Sequence, residues 1–536
     1  MSIGRASVLI GAGTIVSRLT GFLRAVVLVS AVGAFAEAGN AFAVANQLPN
    51  NIYAIISTGL ISAVVVPQII KAAAHDDGGR AFVSKLFTLG TVALIVTAAV
   101  ATVAAPLLVQ LYAPEFGPDA KALATAFAYW CLPQILFYGL FALVGESLNA
   151  RRVYGPYTWA PIANNAISIA GFLLFIWLFG QGSPPAAWTS EMVALLAGTA
   201  TLGIVVQTGI LFVFWRRTGL HVRPDFAWRG VGLGQIGRLA GWTFFMVVAS
   251  QLAGLVQSRV LSQIPEGDPS ILASQNAWLL FMLPYSIIVL SIGTPYFTRL
   301  SEHAQADRDD DVRADIGTSI RTIAVFIVAA TAALTAAAVP ASRIFTDNET
   351  QAVAAAELLL CFIVGLIPLA VLFVIQRTFY AYHDTRTPFV FTMVQCGLVV
   401  VTALLASWLV GADVLPVSSL AAAVALGQSV AGIIQLVVAA WLLQRRLGDL
   451  RIASWSLAIG RFLLAALPAA GAGWLTFQLL GGIDGWTVSD KFLGALGAAI
   501  IGIVVLVVYA AFLALLRAPE LSTAKTLVRR FLPGRG

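Results

Sequence analysis

"VSRLTGFLRAVVL", Val16 to Leu28, sits inside an otherwise apolar run from Ile3 to Phe35. A run of that length crosses a ~30 Å hydrocarbon core as a helix. Yet Arg18 and Arg24 stand where a lipid-facing helix carries no charge. Each arginine near the centre of a span costs on the order of 2.5–3.5 kcal/mol even on the lenient insertion scale. The stretch therefore predicts a membrane helix whose charges face something other than lipid.

The rest of the chain repeats the apolar part of the pattern. Of its 536 residues, 59% are hydrophobic and only 11% charged, against about 25% charged in soluble domains. Spans are expected near 5–33, 40–70, 84–110, 119–149, 158–180, 190–215, 235–262, 271–299, 316–342, 353–382, 388–411, 414–443, 455–480 and 491–516. Helices satisfy every backbone group internally, and the ten-residue alternation of an outer-membrane barrel is not seen. The expected fold is an all-α polytopic membrane protein with 14 transmembrane helices.

The loops set the orientation. One alternating set of loops, with both ends of the chain, holds 26 of the 32 basic residues, Arg377 and Arg386 among them. The opposite set holds Lys121, Arg259, Arg343 and Lys491. The positive-inside rule then puts both termini in the cytoplasm, requires an even number of spans and indicates a plasma membrane. The net charge of +7 is thus spent on topology and implies no nucleic acid. Cys131, Cys361 and Cys396 form no CxxC pair and offer neither a disulfide framework nor a metal site. The mixed-charge run at 301–315, "SEHAQADRDDDVRAD", reads as a solvated cytoplasmic connector.

Two halves echo each other. "NQLPNNIY" matches "LFMLPYSI" with Pro49 and Pro284 235 positions apart, and "LNARRVYGPY" matches "FYAYHDTRTPF" with Ala150 and Ala381 231 apart. Pro67 and Pro295 are 228 apart. The offset covers six spans, so both copies insert the same way up, as in transporters built from parallel repeats. This predicts an N-lobe at 1–230, a C-lobe at 231–450, a central cavity between them, and a terminal helix pair with a basic tail at 451–536.

On a helical wheel, Gly13, Thr14, Ser17, Thr20, Gly21 and Arg24 gather on one face of the first span with Arg18 at its edge, and Ile15, Leu19, Phe22 and Val26 lie opposite. The plain reading of Arg24 is snorkelling to the outer interface; that of Arg18 is a buried ion pair, for which Glu146 is the candidate partner. Acids within spans are few, chiefly Glu37, Glu146 and Glu357. Cations in excess of partners point instead to a wet cavity for an anion, and the planar fork of arginine suits phosphate. Gln47, Asn50, Asn51 and Tyr53, around Pro49, add polar groups that would be costly against lipid. Arg259 is either the pseudo-symmetric cation or an outer-interface anchor.

With "GTIVSRLTGFLR" at 13–24, "NAFAVANQLPNNIY" at 40–53, "LNARRVYGPYTWAPIANN" at 148–165, "LPYSIIVLSIGTP" at 283–295 and "FYAYHDTRTP" at 379–388, the chain resembles the MurJ/MviN family of lipid II flippases, with wording closest to an actinobacterial branch. The resemblance implies transport of undecaprenyl-diphosphate-linked peptidoglycan precursor from the inner to the outer leaflet by alternating access. By motif, Arg18 and Arg24 would meet the diphosphate, and 460–477 with 495–512 would form a groove for the polyprenyl tail. The chain departs from many members at Ala25, where an acid is usual, at Asn51 to Ala54, where bases are usual, and in the seventh span, which lacks the carboxylate of a sodium site. The alternatives are a flippase for another lipid-linked oligosaccharide and a MATE-like small-molecule exporter, the latter disfavoured by central arginines instead of acids. No enzyme is expected: there is no Walker A motif, the outward loops are short, and His75, His221, His303 and His383 are scattered. No cofactor is implied, and a monovalent cation or the membrane potential is the candidate for resetting the cycle. Expected partners are the glycolipid, membrane lipids and cell-wall synthesis proteins.

Overall fold

The computed structural model describes residues 3–58, 80–151, 153, 155–215, 223–227 and 233–520, and these are helical almost throughout. Contacts divide the chain into two compact units, 1–267 and 268–536. The first contains α1 (Ile3–Val32), α2 (Glu37–Ile56), α3 (Arg80–Val103), α4 (Ala105–Tyr112), α5 (Pro118–Cys131), α6 (Gln134–Ala150), α7 (Gly155–Phe179), α8 (Ser190–Trp215) and α9 (Leu233–Leu261). The second contains α10 (Ile271–Pro284), α11 (Leu290–Gln305), α12 (Asp309–Ala336), α13 (Ala338–Arg343), α14 (Glu349–Ile363), α15 (Leu366–Ala381), α16 (Arg386–Gly411), α17 (Leu420–Leu447), α18 (Ile452–Leu479) and α19 (Lys491–Leu515). Among the described residues, thirteen helical segments are long and apolar enough to span a membrane. The expected span at 40–70 is described as α2 through Ile56; its remainder, with Pro67 of the repeat, lies outside the described residues.

Several expected single spans are pairs of helices, for a local reason. Proline cannot donate to the preceding turn, and Pro106 opens α4 while Pro133 separates α5 from α6. Between α10 and α11, directly after Pro284, Tyr285–Val289 wind as a π turn. Outside the apolar stretches, side chains cap the starts: Asn348 accepts from the Gln351 N–H at 2.9 Å, and Asp490 from those of Phe492 and Leu493 at 2.7 and 2.9 Å.

The run 301–315 joins two helices through an exposed turn at 306–308, as a solvated connector would, but Asp315 is not solvated. The run is the end of α11 and the start of α12, and Asp315 is buried, 2.6 Å from the Arg299 guanidinium and 3.0 Å from His303 Nδ1. The Arg299 guanidinium, one turn before His303 on α11, compensates the Asp315 carboxylate across that turn.

Packing repeats between the halves. In the first unit α7 packs on α8, α6 on α8 and α3, and α5 on α2. In the second, α16 packs on α17, α15 on α17 and α12, and α14 on α10, the same set six spans later. The terminal pair α18–α19 docks on α12 through Val328, Phe462, Ile501 and Val505, and the Tyr509 hydroxyl donates to the Val325 carbonyl at 3.0 Å.

Small residues let the α7–α8 backbones approach, as is usual where lipid offers no hydrophobic drive. A Cβ on Gly203 of α8 would lie 2.3 Å from Asn164 Oδ1 and 2.8 Å from the Asn164 main-chain oxygen, which cannot swing away. Gly203→Ala is expected to destabilise by about 1–3 kcal/mol, read as a lower melting temperature in detergent. Gly209→Ala, with open space at that position, is the control and should change little.

Candidate functional site

The small, polar stripe of α1 is largely a helix seam. Asn165 of α7 donates its amide to the Ser17 carbonyl at 3.1 Å and to Thr20 Oγ1 at 2.9 Å, and Gly21 leaves room for it. Ser17 therefore faces α7 through its backbone, where the wheel reading had placed a cavity wall. Of the expected opposite face, Ile15 and Leu19 are exposed while Phe22 and Val26 are half-buried.

The two arginines separate. Arg24 is half-buried and turned toward α6, with the Tyr138 phenol in electrostatic reach. Arg18, six residues earlier and about 120° around the helix at ~100° per residue, lies on the exposed arc. Among the described residues neither arginine is in an ion pair. Glu146, the expected counter-ion, instead lies near Asn149, Tyr53 and Tyr157.

Around Tyr138 and on the adjoining part of α2 the unit collects hydrogen-bond donors. From α2, just past Pro49, Asn50 lies near Tyr138 and donates to the Asn46 carbonyl at 3.4 Å. Asn51 donates to the Tyr112 hydroxyl at 3.2 Å. The Tyr53 ring lies 5.6 Å from that of Tyr138, tilted by 31°. Tyr138 is braced from its own helix, its hydroxyl 3.5 Å from Gln134 Oε1, while Gln134 Nε2 donates to Thr201 at 2.7 Å. Tyr157 lies across α6 because Gly145 has no side chain: a Cβ there would meet its ring at 2.2 Å. Gln47 is half-buried one turn before Asn50 and Asn51. Arg259 is exposed in the last turn of α9, its carbonyl accepting from Ser262 at 2.7 Å, and no hydrogen bond or ion pair joins it to this cluster.

Arg377 was missed by sequence reasoning, which counted it as a loop cation. It lies inside the span 349–381, half-buried, with its guanidinium 5.1 Å from the ring centre of Phe297 and 5.2 Å from that of Phe373. Tyr285 and Tyr380 are in electrostatic reach, and Gln376 donates to the Tyr380 hydroxyl at 3.0 Å. The available signal was the repeat itself: the offset of 231 that aligns Ala150 with Ala381 also aligns Glu146 with Arg377. Each copy thus holds one charge among tyrosines at the same repeat position, with opposite sign.

Glu37, expected near the outer end of its span, stands at the first turn of α2, its N–H 3.5 Å from Glu266 Oε1. Its carboxyl is pushed above the ordinary range by partial burial and then by the negative charges of Glu266 and Asp119. Among the described residues no group of three or more His, Cys, Asp or Glu stands together to hold a metal ion. A guanidinium with phenol and amide donors beside it is chemistry for an anion with several oxygens.

The family model described as "Lipid II flippase MurJ" matches residues 28–489. A protein of Haemophilus influenzae described as "Probable lipid II flippase MurJ" is 26% identical over 528 residues, covering 94% of this chain and 98% of that protein. One of Synechocystis with the same description is 23% identical, covering 97% and 96%. Among solved structures, "Lipid II flippase MurJ, inward closed conformation" aligns with a TM-score of 0.72 at 19% identity, covering 95% of this chain and 99% of that one. An inward-facing multidrug resistance MATE family transporter of the MOP superfamily aligns at 0.58 and 14% identity, over 80% and 99%.

Proposed function

Because the chain belongs to the lipid II flippase MurJ family, we propose that the donor cluster of α1, α2 and α6 takes the diphosphate of lipid II as its headgroup crosses the membrane. The protein is a transporter and not an enzyme: a lipid II flippase, multi-pass in the bacterial inner membrane, serving peptidoglycan synthesis. One observation carries the site. Arg24 is half-buried in a spanning helix with no carboxylate partner among the described residues, and with the Tyr138 phenol in electrostatic reach. A diphosphate supplies the missing counter-charge and accepts the remaining N–H and O–H donors.

Arg18, on the exposed arc of the same helix, extends the cationic path. Gln47, Asn51 and Tyr53 line it from α2, Ser17 holds α1 on α7, and Arg259 is an outlying cation. Alternating access between the lobes 1–230 and 231–450, both termini in the cytoplasm, and reset by the membrane potential or a monovalent cation complete the proposed cycle. Cell-wall synthesis proteins are the proposed protein partners. The loop charges support the orientation, and the motif wording supports an actinobacterial origin.

The test is depletion of the protein followed by an assay of outer-leaflet lipid II accessibility, with wild type or Arg18→Ala resupplied. Wild type should restore externalisation and Arg18→Ala should restore clearly less. Full externalisation after depletion would overturn the function in this cell. Full rescue by Arg18→Ala would remove that residue from the site.

A further inference from the structure

Two features outside the donor cluster meet on α12 and α18, on part of the stretch 460–477 that the resemblance assigns to the polyprenyl tail. The first is an apolar groove of about 710 Å³ walled by Val328, Thr331 and Thr335 on α12 and by Leu464, Leu467 and Ala470 on α18. No residue of 495–512 lines it; α19 is occupied in packing on α12 and α18. Leu464 and Leu467 are largely exposed within it. The second is a polar recess of about 400 Å³ that shares Arg461 with the groove and adds Arg321, Ser454 and Glu520. Arg321 uses one donor on Ser454 Oγ at 3.1 Å. Arg461 stands 3.9 Å from Glu520 Oε2, a buried oxygen with no hydrogen-bond partner among the described residues.

The dimensions choose the occupant. From Arg461 to Ala470 is nine residues, about 14 Å at ~1.5 Å per residue, close to half of the ~30 Å hydrocarbon core and so one leaflet deep. An undecaprenyl chain is longer than a leaflet is deep and would overrun it. Among the described residues, two guanidiniums against one carboxylate leave one positive charge at the mouth, which one phosphodiester neutralises. A guanidinium presents five N–H donors in a fork suited to phosphate, and most of those on Arg321 are unused among the described residues.

We propose that this is a binding site for an anionic phospholipid of the inner leaflet, its phosphodiester between Arg321 and Arg461 and one acyl chain in the groove. The assignment of the mouth to the cytoplasmic side rests on the orientation proposed above. The site is separate from the donor cluster of α1, α2 and α6, so it stands if that cluster proves not to bind diphosphate.

Native mass spectrometry of the full chain titrated with phosphatidylglycerol tests it. Wild type should retain one lipid, and Arg321→Ala with Arg461→Ala should bind it about tenfold more weakly, as expected for losing a charge-assisted contact. Leu464→Trp, at an exposed position that does not threaten the fold, should exclude the acyl chain with both arginines intact. Millimolar inorganic phosphate should not displace the lipid. Equal retention by wild type and Leu464→Trp would overturn the proposal, as would displacement by inorganic phosphate, which would mark a free-anion site. Displacement by equimolar undecaprenyl phosphate would overturn it in favour of the polyprenyl tail.

Discussion

Arg343→Ala is expected to lower stability by at least about 3 kcal/mol, because several charge-assisted hydrogen bonds at ~1.5–3 kcal/mol each are lost together. The guanidinium is buried at the end of α13 and donates to three carbonyls: Val488 at 2.7 Å, Thr346 at 2.5 Å and Ser489 at 2.9 Å. It thereby ties the turn before α19 to the turn before α14. Alanine leaves those oxygens without donors in a site too enclosed for full rehydration. Arg343→Lys keeps the charge but reaches fewer of them, so it should recover only part of the loss. Melting of the purified protein in detergent gives the result, and a melting temperature unchanged by Arg343→Ala would show that the network contributes nothing.

Arg24→Ala is expected to reduce lipid II externalisation about a hundredfold, the equivalent of roughly 3 kcal/mol for removing one partner of a desolvated charge pair. Arg24→Lys should retain intermediate activity, since it keeps the charge and loses the bidentate fork. Arg24 is not a packing keystone: the α1–α7 seam is held by Asn165, Ser17 and Thr20. Expression and melting should therefore stay near wild type. An unchanged externalisation rate in Arg24→Ala, with protein at normal abundance in the membrane, would remove the diphosphate from this cluster.

What the sequence displayed and what it hid follow one physical line. Apolar length and loop charge are properties of a segment against lipid and water, so the spans and the repeat were readable residue by residue. Contacts between helices are not. The stripe of Ser17, Thr20 and Gly21 looked like a chamber wall because small polar residues serve equally for close packing, and only Asn165, 145 positions from Thr20, tells the two apart. Arg343 and Arg377 looked like topology cations because composition cannot see carbonyls or rings supplied by other helices. Asp315 looked solvated for the same reason, its partners Arg299 and His303 lying across a turn the charges had suggested was open. Tyr138 passed unnoticed among apolar neighbours in "QILFYGLF", although it now stands beside Arg24, Asn50 and Tyr53.

The π turn at Tyr285–Val289 gives its helix a spare residue. Were that residue drawn back into ordinary α winding, everything from Leu290 to Gln305 would screw round by about 100° and advance about 1.5 Å. Gly293 would leave the ring of Phe373 that now fills the space of its absent Cβ, and Arg299 would be carried off Asp315. One coil of backbone thus sets the angular phase of the whole segment that follows it, and a click of that coil would release a buried carboxylate and swing the turn at 306–308 with it.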